Sequence, residues 1–203
     1  MVDCIKMTQR KSSRAVHRQR QPRRGIQGTV RIIGGDWRSR RIAFPGENQL
    51  RPTPDRVRET LFNWLGQDIE GLRCLDLFAG SGALGLEAAS RGAGQVTMVD
   101  NSPRVIAALH ESVNLLGAAQ VNVERADALE FLTRTQSRYD LVFLDPPFSD
   151  GLPVAVIKAL PTRLAPGAVV YLEAGHEIPI LDGWSIKKHA RAGIVHFHLL
   201  QVA

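Results

Sequence analysis

A chain of 203 residues, 44% hydrophobic and 23% charged, is long enough for one packed α/β domain with a small appendage. Two cysteines, Cys4 and Cys74, exclude a disulfide framework and a four-thiolate zinc site, and no apolar run reaches the roughly 18 residues that span a bilayer. Charge is uneven: residues 1–41 hold 12 Lys and Arg against 2 Asp and Glu, and residues 42–203 hold 14 against 18. A mildly acidic body with a basic arm suits a polyanionic partner. No apolar segment follows the basic start, so no secretory signal is expected and the cytoplasm is the default location.

Residues 1–27 lack periodicity and read as a basic arm, disordered in isolation and able to order on RNA phosphates. Residues 28–50 form a second unit. Thr29–Ile33 and Arg40–Phe44 are predicted strands of a hairpin around Gly34-Gly35, displaying Arg31, Arg38, Arg40 and Arg41 beside Trp37. Residues 51–203 form the main domain. There Thr53 suits an N-cap and Pro54 a first helical position, and Val57, Leu61, Trp64 and Leu65 recur at helical spacing, so a helix is expected to about Gly66.

After Gly71 the pattern alternates. Strands are predicted at 72–78, 95–99, 120–124, 139–144 and 167–173, with helices at 83–91, 103–116, 128–134 and 152–164. That alternation predicts a mostly parallel α/β sheet of Rossmann-like type with helices on both faces. Residues 184–190 and 194–202 read as two strands around Gly193 with no helix between them, an antiparallel finish.

The segment Leu75-Asp76-Leu77-Phe78-Ala79-Gly80-Ser81-Gly82-Ala83-Leu84-Gly85 runs from a strand through a glycine turn into a helix, and Asp100 lies 20 residues beyond Gly80. Glycines let the backbone close on a ligand and aim helix N–H groups at it. The pattern fits dinucleotide binding and S-adenosylmethionine binding equally. Asp76 favours the second, because a carboxylate beside the turn suits a cationic amino acid better than a pyrophosphate. Asp100 is then placed for the ribose hydroxyls and Asp127, after the third strand, for the adenine amine. Helix capping is the competing account of Asp100 and Asp127.

Asp145-Pro146-Pro147-Phe148 follows the apolar strand Leu141–Leu144. The tetrapeptide resembles the signature of methyltransferases that act on exocyclic amines. Such an amine is a weak nucleophile because its lone pair is delocalised. Hydrogen bonds to the Asp145 carboxylate and the Pro146 carbonyl would pull the nitrogen towards tetrahedral geometry, Pro147 would stiffen the loop, and Phe148 would offer a stacking face.

Taken with the Arg-x-Ile-Gly-Gly-x-Trp-Arg run and Arg51-Pro-Thr-Pro-Asp-Arg-Val-Arg-Glu-Thr-Leu-Phe-Asn63, these motifs resemble the bacterial 16S ribosomal RNA guanine-N2 methyltransferases of RsmD type, from about Gly28 to the end of the chain. The resemblance implies a seven-stranded sheet with its last strand antiparallel, and S-adenosylmethionine as cofactor. It implies a guanine of 16S rRNA in the 30S subunit, or a late assembly intermediate, as substrate. By the same resemblance Asp76, Phe78, Gly80, Ser81, Gly82, Asp100, Asn101, Asp127 and Ala128 form the cofactor pocket, and Asp145 to Phe148 hold the guanine. Arg51 and Thr53 lie near the methionine end or the RNA, and Arg31, Trp37, Arg38, Arg40 and Arg41 contact RNA. Hairpin packing is the competing account of Trp37. The same tetrapeptide would serve a methyltransferase for DNA adenine or a protein amide. His196 and His198 share a strand face but lack a third ligand nearby, so no metal is expected; a monomer is.

Overall fold

In the computed structural model, which describes residues 27–46, 52–66, 69–147, 153–178 and 181–203, the expected hairpin pairs β1 (Gln27–Arg31) with β2 (Arg41–Pro45). Alternation decides its two faces: Val30, Ile42 and Phe44 are buried while Arg31 and Arg41 point outward. Helix α1 (Asp55–Leu65) follows. Next come β3 (Arg73–Asp76), α2 (Ala83–Ser90), β4 (Gln95–Asp100), α3 (Pro103–Leu116), β5 (Val121–Arg125), α4 (Ala128–Arg134) and β6 (Tyr139–Leu144). Helix α5 (Val154–Ala159), β7 (Leu164–Ala174), β8 (Trp184–Ala192) and β9 (Val195–Val202) complete the chain.

Seven strands make one sheet in the order β5-β4-β3-β6-β7-β9-β8. Only β9 opposes the others: β3, β4, β5, β6 and β7 pair in parallel, whereas β9 is antiparallel to both β7 and β8. This is the mostly parallel, Rossmann-like sheet with an antiparallel C-terminal hairpin that the pattern predicts. Side chains from β3 and β6 alternate between two cores. Cys74, Leu141 and Phe143 pack with α1, α2 and α3 on one face, and Leu75, Val142 and Leu144 with α4 and α5 on the other. No helix among the described residues is long and apolar enough to cross a membrane.

Two boundaries differ from expectation. The helix predicted at 152–164 ends at Ala159 and tightens into a 3₁₀ turn, Leu160–Arg163, with Pro161 in its first turn. Strand β7 then starts at Leu164 rather than 167, because Pro166 and Gly167 sit in an irregularity. Tyr139 pairs with Leu164, but Leu141 pairs with Val169.

The hairpin is bolted to the main domain through a buried acid. Glu87 of α2 is 0% exposed, and its carboxylate accepts from the amides of Ile33 and Gly34, both at 2.8 Å. It also pairs with Arg91 Nε at 2.8 Å and with buried Arg58 Nη1 at 3.3 Å. Arg58 in turn donates to the Arg31 carbonyl, the Asp55 carboxylate and the Thr53 carbonyl. Gly35, at φ +72°, touches down on α2: a Cβ there would lie 1.8 Å from the Ser90 carbonyl oxygen.

Candidate active site

The carboxyl ends of the parallel strands gather the candidate residues at one edge, where ligands bind in open α/β sheets. After β3 the chain turns through Gly80 and Gly82, both with positive φ, into α2. Gly82 is the N-cap residue in the left-handed region, and a Cβ on it would strike Leu109 at 2.7 Å. The Gly80 amide donates to Asp100 Oδ2 at 3.0 Å and the Ser102 amide to Asp100 Oδ1 at 2.8 Å, so this carboxylate holds the turn and the start of α3 in one geometry. Ser81 is buried, its hydroxyl accepting from the Ala83 amide, whereas Asn101 is exposed.

Asp76, at the end of β3, is 1% exposed. Its Oδ2 accepts from the Gly85 amide at 3.0 Å, while Oδ1 is buried with no hydrogen-bond partner. Burial pushes its pKa up to about 7, against the pull of the Gly85 and Phe78 amides and with help from the negative charges of Asp100 and Glu173. A buried acid poised near neutrality, with one oxygen unused, suits a cationic group.

Asp145 lies just beyond β6 and is also desolvated. Burial, and next the charge of Glu173, raise its pKa well above the usual carboxylate range. Thr53 Oγ1 donates to Asp145 Oδ2 at 3.1 Å. This corrects the capping role expected of Thr53: α1 begins at Asp55, Pro54 holds the N-cap position, and no side chain caps the helix. The Thr53 hydroxyl serves the Asp-Pro-Pro loop instead.

A cleft beside this loop is lined by Phe78, Asp127, Ala128, Pro146 and Pro147, among others. It therefore brings together the glycine segment, the turn after β5 and the tetrapeptide. Asp127 behaves first as a cap, its Oδ1 accepting from the Leu129 and Glu130 amides at 2.9 and 3.1 Å. In the hairpin, Trp37 is partly buried against the core, and its backbone amide donates to the Ser90 hydroxyl. Arg31 is paired with Asp55, and Arg40 donates to the Leu115 carbonyl. Arg38 and Arg41 are exposed. Phe148 and Arg51, and the arm before Gln27, lie outside the described residues.

Sequence reasoning missed Glu173 and Tyr171. Glu173 is 2% exposed and accepts from the Tyr171 hydroxyl at 2.8 Å. The available signal was an acid inside the apolar run 168–174, one strand away from Asp145. His196 and His198 both meet His189: His189 Nε2 lies 3.2 Å from His196 Nδ1, and the His189 and His198 rings stack at 4.4 Å. No cluster among the described residues could hold a metal ion.

A glycine turn beside acids at the strand ends, next to an Asp-Pro-Pro loop at the same carboxyl edge of a seven-stranded sheet with its last strand reversed, defines a Rossmann-like methyltransferase. Residues 30–201 match the family model described as Conserved hypothetical protein 95, and the chain belongs to that family. It is 41% identical over 187 residues to ribosomal RNA small subunit methyltransferase D of Escherichia coli K12, covering 90% of this chain and 94% of that one. The Haemophilus influenzae protein of the same name is 41% identical over 86% of this chain and 94% of its own. A solved structure of a candidate methyltransferase from Escherichia coli, yhhF, superposes with a TM-score of 0.78 at 43% identity, covering 86% of this chain and 98% of that one.

Proposed function

We propose that this methyltransferase moves the methyl group of S-adenosylmethionine to the exocyclic N2 amine of a guanine in 16S rRNA, acting as a cytoplasmic monomer on the 30S subunit or a late assembly intermediate. One observation carries the reading. The cleft joins Phe78, Asp127 and the Asp-Pro-Pro loop at the carboxyl edge of the sheet, in a chain similar over nine-tenths of its length to a protein named for small-subunit rRNA methylation.

The residues present fit the cofactor. Asp76 offers a buried oxygen with no partner and an acid near its midpoint, which an ammonium would satisfy. Asp100 ends β4 beside the glycine turn, and Asp127 and Ala128 border the cleft next to Phe78. S-adenosylmethionine, when bound, supplies an electrophilic methyl group on a sulfonium.

This chain's own groups then act on the amine. The Asp145 carboxylate accepts one amine N–H and the Pro146 carbonyl another, drawing the lone pair out of conjugation and aiming it in line with the methyl carbon. Pro146 and Pro147 hold that loop without competing N–H donors. Thr53 fixes the orientation of Asp145. In this reading the proton released by the methylated amine passes to the Asp145 carboxylate, its hydrogen-bond partner in the arrangement above. Asp145→Asn is expected to cost at least about 100-fold in methyl transfer, within the range for a lost acid–base group, with S-adenosylhomocysteine affinity largely kept. Loss of both together would assign the residue a folding role.

The exposed Arg38 and Arg41 on the hairpin, and the basic arm with Arg51, supply phosphate contacts in this reading. DNA adenine and protein amides remain the acceptors to compare.

A further inference from the structure

Arg58 lies in the first turn of α1 and is fully buried. Each nitrogen of its guanidinium is engaged. Nε donates to the Thr53 carbonyl at 3.2 Å and Nη1 to Glu87 Oε2 at 3.3 Å. Nη2 donates to the Arg31 carbonyl at 2.8 Å and to Asp55 Oδ1 at 2.6 Å. Glu87 and Asp55 balance the charge. The two carbonyls belong to the last residue of β1 and to Thr53, whose hydroxyl donates to Asp145 Oδ2 at 3.1 Å.

The local sequence makes Thr53 depend on this grip. Pro54 follows it, which favours extended backbone at Thr53 and leaves no N–H at position 54. The Pro54 carbonyl accepts from the Val57 and Arg58 amides at 2.9 and 3.1 Å. The main chain of Arg58 therefore holds Pro54 while its side chain reaches back to hold Thr53. A threonine is stiff at χ1, so pinning its carbonyl also fixes where its hydroxyl points, which is at Asp145.

At the other end of the guanidinium, the Arg31 carbonyl belongs to the hairpin, which is seated on Glu87 through the Ile33 and Gly34 amides. We infer that Arg58 is a positioning residue for methyl transfer: its guanidinium ties the seat of the basic hairpin to Thr53 and, through the Thr53 hydroxyl, sets the orientation of Asp145. The use of Asp145 on an RNA amine rests on the function proposed above. The hairpin then acts on the reaction by where it sits as well as by the arginines it exposes. An arginine is required because its rigid planar fork spans both carbonyls, whereas a lysine ammonium is a single point charge.

The test is a double-mutant cycle in the full-length protein. It reads the single-turnover rate at saturating 30S subunits and the subunit concentration that gives half of that rate. Arg58→Lys keeps the buried positive charge beside Glu87 and gives up the fork. It should lower the saturated rate about 10-fold or more, of the order expected for a misplacement of up to about 1 Å, and leave half-saturation within about twofold. Thr53→Val should do the same, and adding Arg58→Lys to it should cost less than about twofold more, because the two act along one path. Asp55→Ala, at a half-exposed partner of Arg58, should give a smaller loss that also disappears in the Thr53→Val background; it carries the cycle if Arg58→Lys does not fold. A crystal structure of Arg58→Lys, or of Asp55→Ala in that case, should show Thr53 Oγ1 beyond hydrogen-bond reach of Asp145 Oδ2. Losses that multiply in the double variant overturn the inference, as does a rise in half-saturation with the saturated rate kept, or a Thr53–Asp145 bond intact in the crystal. If the bond is lost as described but the wild type methylates no RNA, the positioning stands and the proposed function fails.

Discussion

Glu87→Ala tests whether the hairpin is held by the buried acid rather than by apolar packing alone. The carboxylate accepts two backbone amides and two guanidinium groups from a site with no exposure. Its removal orphans the Ile33 and Gly34 amides, each worth about 1–3 kcal/mol when buried and unpaired. It also leaves Arg58 buried with only Asp55 as counter-charge, and removing one partner of a buried pair costs about 3–5 kcal/mol. These effects overlap, because both describe groups stranded by one carboxylate, so about 4 kcal/mol is expected. For a domain of this size that lowers Tm by roughly 8–16 °C. Urea denaturation gives the free energy, and amide hydrogen exchange locates it: Ile33 and Gly34 should lose protection more than β3 or β6. A loss below about 1 kcal/mol, with exchange at Ile33 and Gly34 unchanged, would refute the reasoning.

Three further outcomes follow from the candidate active site and from the histidines of the C-terminal hairpin. Asp76 binds a proton up to a pKa of about 7 in the free protein, so pairing it with an ammonium should release protons when S-adenosylhomocysteine binds near pH 6. Calorimetry in buffers of different ionisation heat measures that release, which Asp76→Asn should abolish. Asp127→Ala removes a helix cap and should cost about 1 kcal/mol of stability; a parallel tenfold or greater loss in S-adenosylhomocysteine affinity would show that it also binds ligand, and an unchanged affinity that it only caps. His198 is buried, and desolvation, with the neighbouring His189 charge, lowers its pKa to about 4. The unfolded chain therefore binds more protons than the folded one between about pH 6.5 and 4. Stability carried by neutral His198 is lost as pH falls through that window, and His198→Phe should raise Tm more at pH 5 than at pH 8. Equal gains at both pH values would contradict the assignment.

Much of this fold is legible in the sequence because its strands are buried on both faces. Runs such as Leu141–Leu144 must be continuous and apolar to fill two cores at once. The glycine turn and Asp-Pro-Pro loop are legible because their backbone demands restrict residue type. Thr53 was misread because the local rule for a residue before Pro-Asp is capping, whereas its real partner is Asp145, 92 residues away. Asp127 shows the reverse, a local cap inside a ligand-facing cleft. Glu173 left one trace, an acid inside the apolar run 168–174, but Tyr171 and the Glu87–Arg58 pair were invisible for a common reason. Each is a polar group stabilised by contacts between distant elements, and spacing along the chain carries no trace of them. The start of β7 was missed because Pro166-Gly167 signals a turn and the sheet absorbs it as an irregularity.

The most direct test of the whole account is to incubate the full-length protein with methyl-labelled S-adenosylmethionine and unmethylated 30S subunits, then digest the RNA and identify the labelled nucleoside. The account predicts N2-methylguanosine in 16S rRNA, lost in Asp145→Asn. Label in a different nucleoside, or in a ribosomal protein, would contradict it.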